Sequence, residues 1–247
     1  MLHSRASANV VLDRFVADAQ AAFGGDLVAI VLFGSAAEDA LRPTSDINLV
    51  VVLRRFDAEA AGRLGQAYQL AHAAARLSAM FLRESEIQAA AAAFAVKFLD
   101  IATRRRVLFG PDPFAALAVP HDAVERRVKQ VLLNLELRLR EQFVAAAGQP
   151  ERLVRALAET AGPLRAAASA LCWLDGKPVS PPKAALEAIA KDLAGGPWDD
   201  LLTAITAART LAPHGDPGPG GPGPGEPAVL FARLVEMTDA LRRRAGG

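Results

Sequence analysis

The chain has 247 residues, 28 basic and 27 acidic, with a net charge of +1 when histidine is neutral, and 52% of it is apolar. That composition suits a globular protein of one or two domains with a sizeable core. It supplies no general basic face to displace counterions along a polyanion, which argues against long nucleic acid and for a small or protein substrate.

In chain order, Val11, Phe15, Val16, Ala19 and Phe23 recur at helical steps from Ser7 to Phe23, and Gly24-Gly25 stops the pattern as a C-terminal cap would. Leu27 to Phe33 and Ile47 to Leu53 are continuous apolar runs rich in Val and Ile, the pattern of strands buried on both faces. Asp57 suits the cap of a helix running to about Leu77, followed by a third strand at Ser78 to Leu82. A helical turn at Ser85 to Ala92 precedes a fourth predicted strand, Phe94 to Ile101. Glu84 and Glu86 then serve the start of that turn as dipole or capping groups. Strands mixed with helices give a first domain, residues 1–117.

Beyond Pro120 the texture changes. Val124, Val128, Val131, Leu135, Leu139 and Phe143 fall on one helical face, and further helices fit Glu151 to Asp175, Pro181 to Ala194, Trp198 to Leu211 and Ala228 to Arg244. Pro163 should kink or restart the first of these. Residues 118–247 therefore read as a helical bundle, interrupted at 213–227 by a Gly/Pro-rich segment expected to be a flexible surface loop. The single cysteine, Cys172, sits among apolar residues and is expected to be a buried small hydrophobe. The four histidines have no metal-ligand spacing. No N-terminal stretch has a signal-peptide pattern, and Arg and Glu punctuate the Ala-rich helices too often for a bilayer span, so a cytoplasmic protein without a membrane partner is expected.

The chemistry is concentrated where the first predicted strand ends in Gly34-Ser35. A Gly-Ser turn offers backbone N–H groups that no Cβ screens, plus a hydroxyl, ahead of a predicted helix start at Ala36, and so suits a phosphate. After a polar loop come Asp46 and Asn48, on one side of the next strand because alternate strand residues point the same way. Oxygen ligands so placed suit Mg2+.

With that order and spacing, GSAAEDALRPTSDINLVVVL (34–53) resembles the signature of the DNA polymerase beta-like nucleotidyltransferase superfamily. The resemblance is to the branch of small bacterial proteins similar to kanamycin and minimal nucleotidyltransferases. Arg42-Pro43-Thr44-Ser45 resembles the family's lead into its acidic strand. Phe98-Leu99-Asp100-Ile101, then Arg106 to Gly110 and Asp112-Pro113, resemble a later strand and turn. The likeness extends to about residue 117 by motif and beyond it by architecture. It implies an α+β (mixed α/β) fold, with a nucleotidyltransferase-type sheet flanked by helices and followed by an all-α helical bundle. It also implies a nucleoside triphosphate held at Gly34 and Ser35, Mg2+ at Asp46 and Asn48, catalytic roles for Asp46 and Asp100, and a small-molecule or protein acceptor. The bundle offers a surface for a homodimer contact or a protein partner.

Three departures bear on activity. Glu38 and Asp39 stand where the family usually has a basic residue and a glycine. The second acid of the Asp-x-Asp pair is Asn48, whose amide brings no charge to a divalent ion. The third family carboxylate comes from a later strand, and Asp100 is the only acid in Phe94 to Ile101, with Lys97 where related chains often have an acid. Pairing with Arg104 or Arg105 is the alternative role for Asp100. Two functions are thus expected: a binding module with impaired catalysis, or an active Mg-dependent transferase of a nucleoside monophosphate.

Overall fold

The computed structural model describes residues 5–38, 46–177, 181–211 and 226–246. The chain divides into two compact units, Met1–Val119 and Pro120–Gly247.

The first unit contains α1 (Arg5–Phe23), β1 (Leu27–Phe33), β2 (Ile47–Leu53), α2 (Ala58–Ala75), β3 (Leu77–Arg83), α3 (Ile87–Ala93), α4 (Ala95–Thr103) and β4 (Arg105–Phe109). The strands form one mixed sheet in the order β3-β2-β1-β4, with β1 antiparallel to β2 and β4, and β2 parallel to β3. Helices cover both faces. Leu12, Phe15 and Ala19 of α1 and Ala60, Leu64 and Ala71 of α2 pack on Ile30, Leu32, Leu49, Val51 and Leu77. On the opposite face Ile87 and Ala91 of α3 and Phe98 and Ile101 of α4 join Val31, Phe33, Val50, Val52 and Leu82. Both central strands are buried on two sides, which is why they are unbroken apolar runs rather than alternating ones.

Local chemistry sets the element ends. The Asp57 carboxylate accepts the Ala60 N–H at 2.8 Å and starts α2. Glu86 accepts the Arg83 backbone N–H at 2.9 Å ahead of α3. Two expectations fail. The predicted fourth strand, Phe94 to Ile101, is the helix α4, and the strand lies further on at Arg105–Phe109. The polar residues of the run, Lys97 and Asp100, stand three apart, a helical step, and α4 buries Ala95, Val96, Phe98, Leu99 and Ile101. The helix expected to start at Ala36 is instead a single 3-10 turn, Gly34–Ala36, with residues 39–45 outside the described set.

The second unit contains α5 (His121–Ala145), α6 (Pro150–Leu174), α7 (Pro182–Lys191), α8 (Asp199–Leu211) and α9 (Glu226–Arg244). The helix α6 packs against each of the other four and is assigned as helix straight through Pro163. Glu136, 1% exposed, is bridged by Arg140 and by Arg242, the latter at 2.8 Å. Arg244 pairs with Asp175 at 2.8 Å, so these terminal arginines tie elements of the bundle together. Cys172 is buried, and burial raises its thiol pKa. Residues 213–225 of the Gly/Pro-rich segment lie outside the described residues. Among the described residues no helix is long and apolar enough to cross a membrane.

Candidate functional site

The register Phe33↔Asn48 places the C-terminal end of β1 beside the N-terminal end of β2. Gly34-Ser35 and Asp46–Asn48 therefore converge at one edge of the sheet. Gly34 has a φ of +77°, a left-handed geometry that glycine adopts without penalty. Its N–H is already committed, donating to the Arg104 carbonyl at 3.0 Å, and its own carbonyl accepts the Ala37 N–H. Among the described residues, neither the hydroxyl nor the N–H of Ser35 has a partner.

The parallel pairing of β2 with β3 determines what faces the motif. Asn48 is paired with Ser78, Ile47 with Leu77, and one residue before these Arg76 comes beside Asp46. The Arg76 Nε donates to Asp46 Oδ1 at 2.6 Å, with the two side chains 65% and 50% exposed. Arg76 is also the C-cap of α2, at a φ of +51°, with its N–H bonded to the His72 carbonyl. It is the one non-glycine residue with positive φ among the described residues. A left-handed arginine costs about 1 to 2 kcal/mol relative to glycine. The Asn48 amide nitrogen lies 3.4 Å from the Asp46 carbonyl, a long hydrogen bond.

The helix α4 contributes a polar edge. Asp100 lies on this helix rather than on a strand, and its carboxylate accepts from Arg104 Nε at 2.7 Å. Arg104, only 12% exposed, reaches Glu38 with its other arm at 2.9 Å. This carboxylate–guanidinium–carboxylate chain borders Gly34: a Cβ there would lie 3.8 Å from Arg104 Nη2 and 3.9 Å from Asp100 Oδ2. Glu38 thus faces a guanidinium. One turn earlier on α4, the Lys97 ammonium stands 5.6 Å from the Phe33 ring centroid. The residue as a whole is exposed, yet burial of its charged end lowers its pKa. Arg105 is engaged elsewhere, with Asp112 at 2.8 Å.

These residues do not fit a pair of magnesium ions. Two-metal transfer needs several carboxylates converging on ions about 3.5 to 4 Å apart. Among the described residues, the carboxylates at this edge are each paired with an arginine, Asp46 with Arg76 and both Asp100 and Glu38 with Arg104, and Asn48 is neutral. Neither β3 (LSAMFLR) nor β4 (RRVLF) carries an acid. Among the described residues no three His, Cys, Asp or Glu side chains form a metal-holding group. Sequence reasoning missed Arg76 and Ser78, because only the parallel register of β3 brings them to Asp46 and Asn48. The position of Arg76 just before a strand was the available signal.

Residues 12–104 match the family described as a nucleotidyltransferase domain. That segment of the first unit is accordingly similar to a nucleotidyltransferase domain, and the chain has the α+β fold of that class. In three dimensions it is similar to spectinomycin adenyltransferase AAD(9) from Enterococcus faecialis, solved with ATP and spectinomycin. The TM-score is 0.64 at 12% identity, over 94% of this chain and 98% of that one. No curated protein matches the chain in sequence.

Proposed function

We propose that this protein is a nucleotidyltransferase-fold binding module in which two-metal nucleotidyl transfer is impaired or lost, while the cleft at Gly34, Ser35, Asp46 and Asn48 still receives a nucleotide. The observation that carries this reading is the Arg76 guanidinium on Asp46 at 2.6 Å. In a working two-metal centre that carboxylate faces a divalent cation; here an arginine balances it, and among the described residues no group of three acids or histidines stands there to hold a metal. Asn48 and Ser78 supply neutral oxygens in the adjoining positions. The Ser35 hydroxyl and N–H, unpartnered among the described residues, favour retained phosphate contact over a closed surface. A protein partner engaging the helical bundle is the other form of the same reading.

A second reading rests on the fold likeness to an adenyltransferase over nearly the whole chain. On it, the protein moves a nucleoside monophosphate from an NTP to a hydroxyl of a small molecule or protein, with Asp46 as the principal acid. The two separate on transfer of label from α-labelled ATP, with Mg2+, to hydroxyl-bearing acceptors such as spectinomycin and to protein. The binding-module reading expects no label above that of Asp46→Ala. Label present in the wild type and lost in Asp46→Ala establishes the transferase instead.

A further inference from the structure

The cleft has a cation of its own where a metal would otherwise be required. Phe33 and Asn48 are directly paired across β1 and β2, so their side chains rise from the same face of the sheet. Ser78 continues that row on β3. Above the row, α4 presents Lys97 and Asp100, three residues apart and on one side of the helix. Asp100 reaches the Gly34 turn and Lys97 reaches the Phe33 ring. Among the described residues, the neighbouring arginines at this edge are committed: Arg76 to Asp46, and Arg104 to both Asp100 and Glu38. Among the described residues no carboxylate lies within ion-pairing distance of the Lys97 ammonium. A lysine free to choose would extend into water. This one is held against an aromatic face, partly desolvated and without a counter-ion, and an arriving anion would gain from both conditions.

Opposite it, Asn48 matters for the charge it lacks. A carboxylate at 48 would pair with Lys97 or repel a phosphate, whereas an amide can donate to one. The Ser35 hydroxyl and the turn N–H groups lie one step beyond Phe33 on the same strand end. The exchange of acid for amide at 48 and the unpaired lysine at 97 are two halves of one charge change.

We propose that Lys97, with Asn48 and Ser35, forms a metal-independent phosphate site, and that the protein binds the polyphosphate of a nucleotide without Mg2+. This rests on the reading that two-metal chemistry has been lost from the cleft, and extends it by assigning the ammonium of Lys97 the electrostatic role of the ion.

The test is calorimetric titration of the full chain with ATP, in EDTA and again in Mg2+. ATP should bind in EDTA, and inorganic pyrophosphate should displace it. Lys97→Met should weaken that binding about tenfold or more, the worth of one charge-assisted contact, with an unchanged melting temperature, and Lys97→Arg should restore most of it. Asn48→Asp, which adds a negative charge beside the phosphate, should also weaken binding in EDTA, so the outcome does not hang on one variant folding. Binding that appears only with Mg2+, or that Lys97→Met and Asn48→Asp both leave intact, overturns the metal-free site. Magnesium-dependent but unreactive binding would leave the non-catalytic reading standing, whereas label transfer would remove that reading itself.

Discussion

The two ends of β1 are flanked by glycines of nearly the same backbone geometry in opposite surroundings. Gly110, just past β4, has a φ of +75°, and a Cβ there would lie 2.0 Å from the Val28 carbonyl oxygen. Gly34, at the other end, has a φ of +77°, and among the described residues a Cβ there would meet the side chains of Arg104 and Asp100, at ordinary contact distances. One end is filled by backbone, which cannot give way. The other is bordered by charged side chains, which can. The sheet is thus anchored at the N-terminal end of β1, while the C-terminal end is left open and polar, as a ligand site built on a rigid strand requires.

Substitutions should break this comparison unevenly. Gly110→Ala should have the largest effect, a loss of about 3 kcal/mol or more in urea unfolding, because a left-handed residue and a backbone clash coincide. A loss below about 1 kcal/mol would mean that β4 does not approach β1 as described. Gly34→Ala should cost about 1 to 2 kcal/mol, from backbone geometry alone.

Smaller effects are expected at the exposed pair. Asp46→Ala should change stability by less than about 1 kcal/mol, since both partners are half in water. Arg76→Gly should be neutral or mildly stabilising, relief of the left-handed φ offsetting the lost ion pair, within about 1 kcal/mol. It should also uncover the Asp46 carboxylate, so Mg2+ affinity by calorimetry should rise. A fall would show that Arg76 was not what occupied Asp46.

The smallest effect sharpens the role of β4. Hydrogen bonds from the Arg105 guanidinium, and secondarily the Phe114 N–H, hold the Asp112 carboxyl below its usual pKa. A depressed carboxyl pKa contributes stability that is fully present above the unfolded value, near 4, and is lost as pH falls through the lower folded value. The acid limb of a stability–pH curve should therefore flatten in Asp112→Asn relative to wild type. An identical limb in both would assign the acid sensitivity elsewhere.

Much of the frame was legible in the residues. The strands Leu27–Phe33 and Ile47–Leu53 have the boundaries their apolar runs predict, because strands buried on both faces must be apolar throughout. The Asp57 cap and the helical second half likewise follow from local chemistry and period. The run from Phe94 to Ile101 reads as a strand from its apolar content, although Lys97 and Asp100, three residues apart, mark one side of a helix.

The sequence by itself determined the Gly-Ser turn, the exchange of Asp for Asn at position 48, and the class of fold those imply. Only the tertiary structure decided that Arg76 rests on Asp46, that Ser78 stands beside Asn48, and that Lys97 faces Phe33. The physical reason is that each of these contacts depends on strand register or on the side of a helix that meets the sheet. Those are set by packing between segments distant in the chain, and no local pattern of residue types encodes them.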